Sequence, residues 1–170
     1  MVIWLTGLSG VGKTTFAQAL CSHLKTKLDN VVLLDGDVIR STISSDLGFH
    51  ESDRIIQINR VQRLAKILAD QGIIVIVAVV YAHPKLLDWN RENLSDYFEV
   101  YFKASLETLA QRDPKGIYRR ARDGQLSDVV GIDIPWHAPH RPDLIFDQDA
   151  ALPATEMVRQ LLQTFPKLPR

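Results

Sequence analysis

The stretch that decides the fold is Gly7-Leu8-Ser9-Gly10-Val11-Gly12-Lys13-Thr14. It follows an apolar, β-branched run at residues 2–6, and a helical pattern at residues 14–25 opens directly after it. Glycines at this spacing let the backbone curl so that successive N–H groups converge on one anion. A helix that starts where the curl ends adds the positive end of its dipole. The sequence therefore predicts a phosphate cradle. Gly7, Ser9, Gly10, Val11, Gly12, Lys13, Thr14 and Thr15 are its expected phosphate-holding residues. Lys13 is to reach the β- and γ-phosphates, and the Thr14 hydroxyl is to ligate Mg²⁺. Lys13 is expected at the mouth of a surface loop, contributing little to the core.

Outward from the cradle, short apolar runs alternate with helical patterns. The runs are residues 2–6, 31–35, 73–80, 98–102 and, more weakly, 143–146; the helical patterns between them cover 14–25, 53–70, 84–93 and 106–112, and 154–165 closes the chain. In the second helical pattern Ile58, Val61, Leu64, Ala65 and Leu68 recur at three- and four-residue steps and make one apolar stripe. Strand–helix alternation predicts an α/β fold, a mainly parallel sheet with helices on both faces. With 170 residues and no linker, the chain reads as a single domain over 1–170.

Composition narrows the partners. The chain is 46% hydrophobic and 24% charged, ordinary for a globular protein, and its 20 basic and 20 acidic residues cancel. A partner of duplex nucleic acid normally carries a basic excess, so no nucleic-acid partner is expected. The longest apolar run, residues 73–81, is far short of the roughly 20 residues that span a bilayer, so no membrane partner is expected either. The first ten residues lack the basic start and apolar stretch of a signal peptide. Cys21 is the one cysteine, which excludes an internal disulfide, suits a reducing cytoplasm, and reads as a small buried hydrophobe on a helix.

A phosphate cradle serves switches, motors and kinases alike. No Asn-Lys-x-Asp base reader of a GTPase is present, and the chain is small for a motor. Residues 112–122 hold five cations (Arg112, Lys115, Arg119, Arg120, Arg122) against the single acid Asp113. In a neutral chain such a segment is expected to meet an anion. It reads as the basic lid of a small kinase, about residues 112–130, closing over the phosphates and excluding water, with Arg112 on the ATP donor. Lys13 and the lid arginines would stabilise charge on the transferring phosphoryl group. Asp35-Gly36-Asp37 ends the second apolar run, at the sheet edge where ligands bind in open α/β folds. One carboxylate can orient or deprotonate an attacking hydroxyl, and the other can hold Mg²⁺ or the acceptor. Asp35 is the expected base, and Asp37 also reads as a helix N-cap before Val38. Arg40 can reach an anionic acceptor, and Phe49 offers a stacking face for a base.

These blocks resemble the adenylylsulfate kinase family. The likeness is carried by residues 7–15, by Leu34-Asp35-Gly36-Asp37 with Arg40, by Leu47-Gly48-Phe49 with Asp53-Arg54, and by Phe98-Glu99-Val100-Tyr101. Arg112-Asp113-Pro114-Lys115-Gly116-Ile117-Tyr118, Gly131-Ile132-Asp133 and the prolines 135, 139 and 142 continue it, in order and at the family's spacing. The resemblance implies a five-stranded P-loop kinase fold. It also implies an ATP- and Mg²⁺-dependent kinase of sulfate assimilation that phosphorylates the ribose 3′-hydroxyl of adenosine 5′-phosphosulfate, commonly as a homodimer. By the same likeness Asp35 is the base, and Asp37, Arg40, Phe49, Arg54 and Lys115 touch the acceptor.

The departures fall on the acceptor side. Where the family reads Asn-Ile-Arg-Arg, this chain has Gln57-Ile58-Asn59-Arg60, which puts Gln57 in the place of an acceptor-holding amide. Val80-Tyr81-Ala82 replaces Ile-Ser-Pro, and Val129-Val130 replaces Phe-Thr. In the family two phenylalanines sandwich the acceptor's adenine; here Phe49 remains and its partner is Val129. An intact donor side beside a rebuilt acceptor side leaves an alternative open, the same chemistry on another nucleotide such as cytidine diphosphoramidate. A nucleotide-binding subunit without turnover is the rival from another class, and the retained Asp35 and lid argue against it.

Overall fold

The computed structural model describes residues 1–169. Five strands, β1 (Val2–Thr6), β2 (Val31–Asp35), β3 (Ile74–Val79), β4 (Tyr97–Lys103) and β5 (Leu144–Asp147), form one sheet in the order β2-β3-β1-β4-β5. All four pairings are parallel. β1 is central, and each of its residues is buried. That is why it reads as a continuous apolar run rather than an alternating one.

Helices supply the crossovers, α1 (Lys13–Lys25), α2 (Gly36–Thr42), α3 (Glu51–Asp70), α4 (Pro84–Asn93), α5 (Leu106–Arg112) and α6 (Ile117–Arg122), and α7 (Ala154–Thr164) follows the last strand. α1 packs against α7, and α3 against α4 and the sheet. The α3 stripe points inward as its spacing requires: Ile58, Val61 and Ala65 are buried, and Leu64 and Leu68 pack at its margin. Under α1 a trio of rings, Phe16, Phe102 and Phe146, meets at centroid distances of 5.2–5.6 Å, edge-on or tilted, the geometry aromatic quadrupoles favour. Cys21 is buried on α1 as expected. Among the described residues no helix is long and apolar enough to cross a membrane.

Two expectations about the elements need correction. The N-cap of α2 is Asp35, not Asp37: the Asp35 Oδ1 accepts the Asp37 N–H at 2.9 Å, and Gly36 already lies in the helix. Gly36 suits this place because a Cβ there would come within 3.1 Å of the Ala78 carbonyl. The lid contains a helix, α6, that apolar periodicity does not announce. Its start is held by the Asp113 carboxylate, which accepts the backbone N–H groups of Ile117, Tyr118 and Arg119 at 2.8, 3.3 and 2.9 Å. These bonds hold the Asp113 carboxyl below its ordinary range against the opposing effect of burial.

Candidate active site

The loops after β1, β2 and β3 all leave the carboxyl edge of the sheet, and one cleft opens between them and the lid. The cradle is its donor wall. Gly7 sits where any Cβ would come within 2.5 Å of the Phe102 carbonyl, and Gly12 closes the loop with φ of +99° before α1 begins. Ser9, Gly10, Gly12, Lys13, Thr14 and Thr15 face the cleft, whereas Val11 is buried behind the loop.

Lys13 is not at the mouth of a surface loop. Its side chain folds back under the curl, only 7% exposed, and Nζ donates to the carbonyls of Gly7 and Leu8, both at 2.8 Å. Burial pushes its ammonium down to about 7, countered in part by Asp37 and Asp35 and reinforced by Lys115. A cation held this way meets an incoming phosphate with little water to displace.

The Thr14 hydroxyl donates to Asp35 Oδ2 at 2.8 Å. A hydroxyl and a carboxylate side by side at the cradle's mouth are oxygen donors of the type that suits Mg²⁺ beside nucleotide phosphates. Asp35 is thereby shared between the cradle, through Oδ2, and the α2 cap, through Oδ1.

The opposite wall comes from α2 and the start of α3. Asp37, Arg40, Phe49, Arg54 and Gln57 all line it. Phe49 leaves 55% of its surface exposed, so it is no core residue. Two guanidinium groups stand by its ring, Arg40 at 4.8 Å and Arg54 at 5.7 Å from the centroid. Arg40 donates to the Gly48 carbonyl. Arg54 donates to the carbonyls of Phe49 at 2.9 Å and Asp128 at 2.7 Å. Among the described residues neither arginine has a carboxylate within ion-pair distance, so both present positive charge to the cleft. Gln57 is buried, and its amide nitrogen is engaged with the Gly36 carbonyl at 2.7 Å; its first task is to pin the β2–α2 turn.

The lid closes over both walls. Lys115 Nζ meets Asp37 Oδ2 at 2.5 Å. The Tyr118 hydroxyl, which burial raises to about 12 and so keeps protonated, donates to the Ser9 carbonyl at 2.8 Å. At the lid's far end Asp128 joins the acceptor wall through its carbonyl to Arg54 and through Oδ1 to His50 Nδ1 at 2.9 Å. Arg112 stands apart from the cleft and donates to the Gln148 carbonyl at 2.8 Å, in the 3-10 turn Gln148–Ala150 that follows β5. Val129 does not face Phe49 across the cleft; it is 5% exposed, with its N–H held by Asp133 Oδ2 at 3.1 Å.

Sequence reading gave no role to two contributors, Pro114 and Tyr118, and marked a third, Tyr81, only as a departure on the acceptor side. Pro114 packs within 3.4 Å of where a Cβ on Gly10 would stand, Tyr118 ties lid to cradle, and Tyr81 forms part of the cleft floor. The available signals for Tyr81 were its place two residues past the end of β3 and its membership of the acceptor-side departures.

A glycine cradle with a buried lysine, a carboxylate beside the cradle's threonine, and a basic lid over a second, cationic wall define a P-loop kinase, an ATP- and Mg²⁺-dependent phosphotransferase acting on a hydroxyl. The family model for adenylylsulphate kinase matches residues 1–147, and the chain belongs to that family. It is 44% identical to the adenylyl-sulfate kinase of Pseudomonas entomophila over 147 residues, 85% of this chain and 71% of that protein. It is 42% identical to the adenylyl-sulfate kinase of Vibrio cholerae over 165 residues, 95% and 76% of the two chains. The APS kinase of Mycobacterium tuberculosis, solved in complex with AMPPNP and APS, superposes with a TM-score of 0.88 at 31% identity, covering 97% of this chain and 96% of that one.

Proposed function

We propose that the protein transfers the γ-phosphoryl group of ATP to the ribose 3′-hydroxyl of adenosine 5′-phosphosulfate. The observation that carries this reading is the position of Asp35, bonded to the cradle's Thr14 while heading the wall that holds Arg40, Phe49 and Arg54. Phe49 offers its exposed ring to the acceptor's base, and the two arginines beside it attract its phosphosulfate. Asp35 accepts the proton of the attacking hydroxyl as the O–P bond forms and the β–γ bridge breaks to release ADP. Lys13 and the lid cations meet the charge that spreads over the transferring group. The Thr14 hydroxyl, with Asp35 beside it, would hold Mg²⁺, which would supply charge neutralisation for the nucleotide's phosphates. Lys115 and Asp37 close the lid over the acceptor, and Arg112 braces the donor side of the lid.

A cytidine-linked acceptor is the second reading: among the described residues Phe49 is the one exposed ring lining the cleft, and a single stacking face takes a pyrimidine as well as a purine. ADP release measured with adenosine 5′-phosphosulfate and with cytidine diphosphoramidate tests both. A kcat/KM at least tenfold higher for the adenosine compound supports the first reading, and the reverse ratio overturns it. The homodimer implied by the resemblance belongs to this proposal, and a solution mass twice that of the chain checks it.

A further inference from the structure

We propose that Tyr81 is a positioning residue for the acceptor: through its hydroxyl on Glu51 it fixes the start of α3, and with it Phe49 and Arg54. This rests on the reading that the α2–α3 wall takes the acceptor.

Tyr81 lies two residues past the end of β3, only 3% exposed, with its ring in the cleft floor. Its hydroxyl donates to Glu51 Oε1 at 2.6 Å, across 30 residues of chain. Glu51 is the first residue of α3. Phe49 precedes it by two residues, and Arg54 follows by three. The position needs an outside hold, because His50 at the N-cap makes no side-chain capping bond. The first-turn N–H groups of such a helix lack the hold a cap supplies, and the end frays unless something else fixes it.

Within the acceptor wall Arg40 holds the Gly48 carbonyl and Arg54 the Phe49 carbonyl; the other long-range restraints on this turn come from the lid. His50 and Arg54 both reach Asp128, at the far end of the segment read from the sequence as the lid. Tyr81 instead extends from the rigid central sheet, since β3 pairs with both β1 and β2. Burial and the neighbouring Glu51 carboxylate raise its phenol above the ordinary value, so it remains a donor at neutral pH. Glu51 in the first turn also complements the helix dipole, and Tyr81 determines where that carboxylate points. The ring's flank is supported in turn: His83 stacks beside it at 6.4 Å, and His137 meets His83 edge-on at 5.3 Å. The bond thus makes α3's first turn independent of lid position, so that the acceptor wall stays formed while the lid is open to receive substrate.

The test uses the full chain with Tyr81→Phe, Glu51→Ala and Glu51→Gln. Without any acceptor, amide hydrogen exchange over residues 49–57 is expected to quicken about tenfold in Tyr81→Phe, with residues 7–14 unchanged. With substrates, KM for adenosine 5′-phosphosulfate is expected to rise about tenfold while KM for ATP and kcat stay within about twofold. Glu51→Ala should match Tyr81→Phe, with no further loss in the double variant, and Glu51→Gln, which keeps an oxygen for the hydroxyl, should stay close to wild type in both exchange and acceptor KM. Unchanged exchange and unchanged acceptor KM in Tyr81→Phe overturn the proposal. Equal damage to ATP KM, kcat and exchange throughout the chain also overturns it, since that marks a general structural role. If the wild type shows no turnover of adenosine 5′-phosphosulfate, the acceptor reading fails, and the exchange measurement still decides for or against Tyr81.

Discussion

The Thr14 hydroxyl and the Asp35 carboxylate meet at 2.8 Å, joining the donor loop to the first residue of the acceptor wall. Because Asp35 also caps α2, its replacement separates two roles. Asp35→Asn keeps an oxygen for the Asp37 N–H but cannot take a proton, so kcat is expected to fall by about 10²–10⁴ with the fold and ATP affinity retained. Asp35→Ala should lose the cap as well and lower stability by about 1 kcal/mol. Steady-state kinetics with nucleotide titration and thermal unfolding read both. A collapse of ATP affinity with kcat intact would make Asp35 a metal or structural group.

Lys13 supplies a proton-linkage signature. Its folded value of about 7 lies below the ordinary lysine value, so between the two the unfolded chain binds more protons, and the cost of burying Lys13 shrinks as pH rises through that window. ATP phosphates facing Nζ favour the ammonium and raise it again. ATP binding at pH 8 is therefore expected to take up close to one proton. Binding calorimetry in buffers of different ionisation enthalpy measures this. Lys13→Met should abolish both the uptake and phosphoryl transfer, and equal uptake in wild type and variant would refute the assignment.

The bridge between Lys115 and Asp37 spans the mouth of the cleft, with both side chains more than half exposed. Such pairs contribute about 0–1 kcal/mol, so Lys115→Ala should barely move the unfolding temperature. Its effect is expected on the acceptor, as a severalfold rise in KM that added salt mimics in the wild type. A large loss of stability without a KM effect would show the bridge to be a fold element.

Restoring a phenylalanine at position 129 is not expected to restore a base sandwich. Val129 is buried and its backbone is held by Asp133, so Val129→Phe overpacks the core and should cost about 1–3 kcal/mol. Acceptor preference should remain as in the wild type. A folded variant with markedly improved use of the adenosine acceptor would show that this segment swings to the cleft.

Much of this was legible in the sequence because it rests on local rules. The apolar runs at residues 2–6 and 31–35 coincide with β1 and β2: β1 is central and buried throughout, and β2, at the sheet edge, is apolar up to Asp35 at its carboxyl end. The glycine loop carries its own geometry in its spacing. Short elements escaped: α2 has seven residues and its cap lies two positions earlier than the Asp37-Val38 pattern suggests, and α6 has no apolar period at all, being held by Asp113. Contacts between distant segments escaped for another reason. Nothing in the neighbourhood of Tyr81 points to Glu51, a contact that follows only once the sheet order has brought the segments together, and nothing in a phosphate-loop motif says that Lys13 turns back beneath its own loop.

The strand order has one more consequence. The donor cradle belongs to the β1–α1 unit, whereas the groups for the acceptor belong to β2–α2, the head of α3 and the tip of β3, with Asp35 the hinge pin between the two. Each unit is folded by its own crossover. The substrate that receives the phosphate can therefore be exchanged by natural drift or by grafting residues 36–60 and 80–83 from a relative, while the machinery that grips ATP is inherited untouched.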